Sequence, residues 1–345
     1  MKGIAHFVTG IAVATLFPEV VSQAAEGSLL PVLGGIAALL PDTLDFKVLR
    51  YLQSYDLDID PGPDPDPRAI AEAIAGAAGE AYQTGEPRRV MLHTVRLGPD
   101  RWRRYAVRFN RQGGEVAVYI GPVVDTGQRP EPVSASETWT CAVPLCVPID
   151  PQSHPEIVVD IFSGPSLTFR PRGDRLHLGF LDWHRRWSHS LTFAGTLGLG
   201  TAGLVGLFSL LRGRPPQPIT PHLGGLVVGL GLVAHILQDQ LGYMGSNLLF
   251  PITRERTPGF GLVHSGDAMP NFLTVWAALM LILFNLDRFS AHPQLPPWWT
   301  FFGLMVFVPG VVLGMLYVRQ RALGLEKRAG ERDEIVGELG DAGIS

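Results

Sequence analysis

The stretch LDWHRRWSHSLTFAGTLGLG, residues 181–200, joins a polar cluster directly to an apolar segment. Two histidines, His184 and His189, flank Arg185 and Arg186, and no turn-forming residue separates them from the apolar run. That run is close to the roughly 20 residues that an α-helix needs to cross a bilayer. The stretch therefore predicts a membrane helix that begins beside imidazole and guanidinium groups.

The composition agrees with a chain that is part membrane-embedded and part water-exposed. Of its 345 residues, 46% are hydrophobic and 17% are charged, which is apolar for a purely soluble protein. The net charge of −4 and the scattered arginines provide no basic stripe, so a nucleic-acid-binding function is excluded. Cys141 and Cys146 have neither zinc-knuckle spacing nor the number of a disulfide scaffold, and we expect buried thiols.

The predicted fold class is a mainly α membrane protein, a bundle of about six hydrophobic helices with an inserted soluble α+β domain. The six apolar segments cover residues 3–21, 28–41, 190–211, 223–241, 271–286 and 299–318. The second segment is short and is expected to be tilted, half-inserted or shielded by its neighbours.

The insert is predicted over residues 51–180, where no apolar run is long enough to span a bilayer. It begins with a Pro/Asp linker, followed by an Ala-rich helical stretch at 67–83 and short alternating segments that are typical of strands. The predicted divisions are residues 1–50 with two membrane helices, the insert, residues 181–320 with the other helices, and a polar tail at 321–345.

Charge near the C-terminus predicts the orientation in the membrane. The basic stretch RQRALGLEKR follows the last apolar segment, which places that end in the cytoplasm. Counting back through six spans puts the N-terminus and the polar cluster on the same cytoplasmic side, although RGRPPQP at 212–218 would then lie outside. A signal peptide with a cleavage site near residues 22–25 is the alternative for the N-terminus, and His6 in its apolar core disfavours it.

Ionisable residues recur at the span ends that this arrangement places on one face. Such groups are costly at a membrane boundary unless they are paired or bind a metal ion. His235 and Asp239 are four residues apart on one helical face, where they can present a nitrogen and a carboxylate to one ion. Asp42 and Asp45 can do the same from another helix, and a divalent cation would offset their mutual repulsion.

Four stretches carry a resemblance to a known family: GIAHF, LLPDTLDF, HRRWSHS and HILQDQLGYMGSNLLFP. They resemble the motifs of membrane-bound, metal-dependent hydrolases of the YdjM type, which are described as inner-membrane hydrolases. The last two match in spacing, including Gly245 and the LLFP that ends at Pro251, whereas PDTLDF has an additional residue between its acids and lacks the following histidine. The resemblance covers roughly residues 1–46 and 181–290.

The resemblance implies a metal centre in a prokaryotic inner membrane. The implied metal ligands are His6, Asp42, His184, His189, His235 and Asp239. Asp45 is a further possible ligand or catalytic residue. The family is also distantly similar to zinc-dependent phospholipases C, which favours phosphoester chemistry by analogy. Six or seven ligands exceed the needs of one ion, so two divalent ions are expected, zinc first, with manganese or magnesium as alternatives.

Neighbouring side chains are assigned supporting roles. Arg185 and Arg186 are predicted to bind phosphate oxygens as catalytic residues, with anchoring at the membrane interface as the alternative. Ser188 is predicted to cap the helix that His189 begins.

A second polar pair precedes the fifth apolar segment. His264 and Asp267 lie there on the same predicted face and are candidates for outer or additional ligands.

The predicted function is a membrane-embedded hydrolase that cleaves a phosphoester of a phospholipid or lipid-linked substrate with metal-activated water. Two alternatives stay open. One is a divalent-metal transporter or sensor, and the other is a scaffold with a structural metal whose insert binds a partner.

Overall fold

The computed structural model describes most of the chain. The described residues are 1–49, 52–110, 114–125, 139–150, 156–159, 166–180, 184–212, 220–242, 244–253, 256–263 and 268–319. The chain divides into two compact units. The helical unit is Met1–Lys47 together with the chain from Arg185 onward, and the insert unit is Val48–His184. The predicted tail at 321–345 lies outside the described residues.

The helices follow the apolar segments closely. They are α1 (Gly3–Ala14), α2 (Pro18–Ala25), α3 (Leu30–Leu44), α4 (Pro67–Thr84), α5 (Leu191–Arg212), α6 (Pro221–Gln240), α7 (Ala268–Arg288) and α8 (Trp298–Arg319). A π-helical turn, Asp45–Leu49, follows α3, and another, Gly303–Phe307, lies inside α8. All of these helices except α4 belong to the helical unit.

Four helices in the described part of the chain are long and apolar enough to cross a membrane, namely α5 to α8. Only 11% of the most apolar window of α5 and 6% of that of α8 are buried, as expected of lipid-facing helices. Helices α1 and α2 qualify only as a pair bent by 99°, because the helix breaks before Pro18. At 15 residues, or about 22 Å, α3 is shorter than a bilayer core. The structure thus supports four spans, or five with the bent pair, and the predicted six are not confirmed.

Glycines allow α1, α3 and α6 to pack closely. A Cβ atom on Gly34 would lie 2.7 Å from the carbonyl oxygen of Gly10, and one on Gly231 would collide with the carbonyl of Gly34. Small residues at helix crossings let the two backbones approach each other. His6 lies one turn before Gly10, and His235 lies one turn after Gly231, so each shares a helical face with a contact glycine. The packing therefore directs both imidazoles into the space between the helices.

The insert unit is an α+β structure with its own apolar core. Its strands are β1 (Leu57–Ile59), β2 (Arg88–Leu92), β3 (Val95–Arg96), β4 (Arg101–Asn110), β5 (Glu115–Asp125), β6 (Trp139–Pro144), β7 (Glu156–Val159), β8 (Ser166–Arg172) and β9 (Arg175–Phe180). One sheet has the order β1-β2-β8-β9, and the other has the order β3-β4-β5-β6 with β7 paired to β4. Among these described strands, β1 and β2 pair in parallel and the other pairs are antiparallel.

Helix α4 matches the helical stretch predicted at 67–83. Asp66 caps its start by accepting a hydrogen bond from the backbone N–H of Arg68 at 2.8 Å, and Gly85 ends it with a φ of +71°. The cysteines of this unit are free, and the prediction that both are buried is wrong, because Cys146, two residues after β6, is exposed and Cys141 is half-buried.

Candidate metal centre

Four side-chain atoms of the helical unit converge at one point. Nε2 of His189 lies 3.1 Å from Nε2 of His235. Oδ2 of Asp239 lies 3.4 Å from the first nitrogen and 3.3 Å from the second. Oδ1 of Asp42 lies 3.4 Å and 3.8 Å from the same two nitrogens. All four atoms lie within 4.8 Å of one another, and we call these residues the four-residue set.

The four-residue set fits a divalent metal ion. Ligands at about 2.0–2.2 Å in a tetrahedron are about 3.3–3.6 Å apart, close to the separations observed. Imidazole nitrogen and carboxylate oxygen together suit zinc and related divalent ions. Oδ2 of Asp239 is buried and faces the two imidazole nitrogens at 3.4 and 3.3 Å. A buried carboxylate oxygen is costly unless it meets a proton donor or a cation.

Three separate elements supply the set. Asp42 lies near the end of α3, and His235 and Asp239 lie in the last two turns of α6. Their i,i+4 spacing does bring imidazole and carboxylate together, as predicted. His189 ends the 3₁₀ turn Trp187–His189 just before α5.

Hydrogen bonds behind the two imidazoles orient them toward the centre. Nδ1 of His235 donates to the carbonyl oxygen of Ala38 at 2.7 Å. Nδ1 of His189 lies 3.0 Å from Oγ of Ser188 and 3.3 Å from Oδ2 of Asp45. Metal-binding histidines commonly direct their second ring nitrogen to a carbonyl or carboxylate in this way. The arrangement turns both Nε2 atoms toward the other members of the set.

Asp45 lies behind His189. Its buried carboxylate accepts hydrogen bonds from the backbone N–H of Arg185 at 2.8 Å and from Oγ of Ser188 at 2.5 Å. The prediction that Ser188 caps the following helix is therefore wrong. That cap is Ser190, whose Oγ accepts a hydrogen bond from the N–H of Phe193 at 3.0 Å. The proposed ligand or catalytic role of Asp45 stays a prediction.

Arg185 fixes the carboxylate of Asp239. Its Nη2 lies 3.0 Å from Oδ1 of Asp239, and its Nη1 lies 3.4 Å from the carbonyl oxygens of Asp239 and Gly245. Arg185 has a φ of +60°, a strained value for a side chain other than glycine. The guanidinium pairs with Oδ1 of Asp239, and Oδ2 faces the imidazoles of His189 and His235. Arg186 is exposed, and phosphate binding by either arginine stays a prediction.

His6 lies beside the four-residue set. Its ring packs against that of His235 with centroids 3.9 Å apart, and its Nε2 lies 3.5 Å from Oδ1 of Asp239. Its Nδ1 donates to Oε1 of Gln238 at 2.8 Å, while Nε2 of Gln238 donates to Thr9 at 2.6 Å. Sequence reasoning missed Gln238, although an amide beside Asp239 in an apolar helix is a usable signal.

Three other predicted residues remain, namely His184, His264 and Asp267. His184 is buried and directly precedes Arg185, where the insert unit ends. His264 and Asp267 lie outside the described residues.

The carboxylates of the set attract positive charge. Burial alone would lower the pKa of His189, but hydrogen bonds with Asp239 and Asp42 outweigh it and raise that pKa above its ordinary value. A proton or a metal ion at this point is stabilised by the same two carboxylates.

Solvent reaches the set from the side of Asp42. The Asp42 side chain is 27% exposed, whereas those of His189, His235 and Asp239 are at most 1% exposed. A small molecule from solvent would therefore meet Asp42 first.

Comparisons of the chain with protein-family models, with curated proteins and with solved structures give no match. Function is therefore inferred from the geometry of the centre, and the resemblance to YdjM-type hydrolases stays a prediction.

Proposed function

We propose that this chain is a membrane-embedded, metal-dependent hydrolase that cleaves a phosphoester of a phospholipid or lipid-linked substrate. The supporting observation is the four-residue set itself, whose ligand atoms are spaced as a divalent ion requires. The set belongs to the ends of helices that include α6, which is long and apolar enough to cross a membrane. A substrate with a polar head and an apolar tail suits a centre in such surroundings.

The proposal assigns one divalent ion to the four-residue set, with zinc as the first choice. His6 and Asp45 are the candidates for holding a second ion, and His184 stays a predicted ligand. A bound ion would lower the pKa of coordinated water toward about 7 and polarise a phosphoryl oxygen.

The chain's own residues would support that chemistry in distinct ways. Arg185 holds Asp239 in place, and Ser188 with Asp45 orients His189. Exposed Arg186, next to Arg185 in the chain, is the candidate for binding phosphate oxygens. The partly exposed Asp42 marks the side from which water and the substrate head enter.

A structural metal site is the second candidate. Four protein ligands complete a tetrahedron, as in structural zinc sites, whereas catalytic sites keep a position for water. The exposure of Asp42 favours the hydrolase, because the partly exposed ligand of the set is the one that water could replace at the ion. A transporter is less favoured, because His235 and Asp239 lie in the last turns of α6 and not near its middle.

The test combines metal analysis with lipid turnover. The purified protein is assayed for bound metal and for release of phosphate or headgroup from a mixed lipid extract, alongside His184→Ala and Asp239→Asn variants. Bound metal with turnover that Asp239→Asn abolishes supports the hydrolase. Bound metal without turnover supports the structural site, metal flux into liposomes supports transport, and absence of bound metal overturns the proposal.

A further inference from the structure

The segment that follows α6 exposes large apolar side chains. We call residues 244–263, apart from 254 and 255, the α6 loop. Ile252 is 82% exposed, Phe260 is 72% exposed, and Leu249 and Leu262 are also exposed. Single exposed apolar residues are ordinary, but four in one short loop form a patch of the kind that contacts lipid or protein.

Backbone hydrogen bonds attach the α6 loop to the end of α6. The N–H of Phe260 donates to the carbonyl of Gln240 at 2.7 Å, and that of Leu262 donates to Leu241 at 2.9 Å. Within the loop, Ser246 and Thr257 exchange two backbone hydrogen bonds, at 3.2 and 2.9 Å. These bonds hold the apolar side chains at a fixed position and leave fewer backbone groups that need water.

The loop also contacts the elements that build the metal centre. The N–H of Leu191, the first residue of α5, donates to the carbonyl of Leu248 at 2.9 Å. Nη1 of Arg185 lies 3.4 Å from the carbonyl of Gly245. The α6 loop therefore lies at the same end of the helices as the four-residue set.

The exposed apolar surface continues from the helices onto this loop. Leu237, in the last turn of α6, and Leu191 at the start of α5 are both exposed. Both helices are long and apolar enough to cross a membrane, so we expect their exposed apolar side chains to contact lipid. The same lipid then meets the neighbouring side chains of the loop.

We propose that the α6 loop inserts its apolar side chains into the bilayer beside the metal centre and forms the path by which a lipid substrate reaches it. Loop insertion depends on the helices crossing a membrane, and the substrate path rests on the proposed hydrolase function. An amphipathic surface segment of this kind buries its apolar side chains at the boundary between headgroups and acyl chains.

Spin labelling tests the insertion. In a Cys141→Ser, Cys146→Ser background reconstituted into phosphatidylcholine vesicles, single cysteines replace Ile252 or Phe260 and carry a nitroxide. Leu199→Cys, on the exposed face of α5, is the lipid reference, and Gln83→Cys, in the insert unit, is the aqueous reference. We expect both loop labels to collide more with oxygen than with a water-soluble nickel chelate, as Leu199 does. Labels that behave like the one at Gln83 overturn the proposal.

Activity tests the substrate path. In the Ile252→Asp, Phe260→Asp double variant we expect unchanged metal content, unchanged hydrolysis of a short-chain soluble phosphoester, and hydrolysis of vesicle phospholipid reduced by about tenfold or more. The matched control replaces both residues with leucine and keeps full activity. Equal loss on both substrates overturns the path. A wild type that hydrolyses neither substrate overturns the hydrolase function, while the spin labels still decide the insertion.

Discussion

Nε2 of His189 faces Nε2 of His235 at 3.1 Å. Nδ1 of His235 faces the carbonyl oxygen of Ala38. Nδ1 of His189 faces the Ser188 hydroxyl and the Asp45 carboxylate. Two neutral rings held in this way would present lone pairs to each other, which is unfavourable unless a cation lies between them. The two carboxylates of the four-residue set provide the negative charge that such a cation requires.

Replacing Asp239 with asparagine should remove most of the bound metal. The amide keeps the shape of the carboxylate but carries no charge, and loss of even an outer partner of a metal ligand costs about 10–100-fold in affinity. Metal per chain, measured by mass spectrometry after gel filtration, should fall close to the background. Asp174→Asn, an 88% exposed carboxylate in the insert unit, is the control and should keep its metal. Equal metal content in the two variants would exclude Asp239 as a ligand.

Ser188→Ala should weaken metal binding without abolishing it. The hydroxyl links His189 to Asp45, so its removal loosens the orientation of a ligand and leaves the ligand itself in place. We expect affinity to fall by about 10–100-fold, measured by competition with a chelating dye. Ser209→Ala is the matched control, because that hydroxyl donates to the carbonyl of Val205 within its own helix. A Ser188→Ala protein with the affinity of the control would contradict the assigned role.

Gly34→Ala should destabilise the helical unit. The new Cβ would lie 2.7 Å from the carbonyl of Gly10, so α1 and α3 would have to separate, at a cost of about 1–3 kcal/mol. Gly203→Ala on α5 is the control, because a Cβ there has no neighbour within 4 Å and alanine favours helix. Unfolding by sodium dodecyl sulphate in mixed micelles, followed by circular dichroism, gives the two midpoints. The prediction fails if Gly34→Ala is as stable as Gly203→Ala.

Metal binding should weaken as the pH falls. Asp239 and Asp42 raise the pKa of His189 above its ordinary value of 6.5, so without metal its imidazole keeps a proton to a higher pH than an ordinary histidine does. Protons therefore compete with the ion, and affinity should decline on lowering the pH through that raised pKa and recover above it. Calorimetric titrations with zinc at several pH values measure this. An affinity that is constant from pH 8 to pH 5 would argue against His189 as a ligand.

The spacing of residues in the sequence predicts contacts within one helix but does not predict hydrogen bonds between separate elements. His235 and Asp239 could be paired from the helical period alone, and the polar span ends indicated a shared face for Asp42 and His189. The bond between Ser188 and Asp45 joins residues 143 positions apart, and no local pattern predicts it. The break before Pro18 was also missed, because hydropathy continues through it while the helix does not.

The hydrogen bond from the backbone of Arg185 to Asp45 has a consequence for how the chain tolerates change. The first part of the helical unit ends at Lys47, and the second part begins at Arg185. This 2.8 Å bond therefore joins the two parts of the helical unit close to the points where residues 48–184 are inserted. The closing contact belongs to the helical unit itself. A segment of very different length between these two points, or a short loop, is therefore compatible with an unchanged centre.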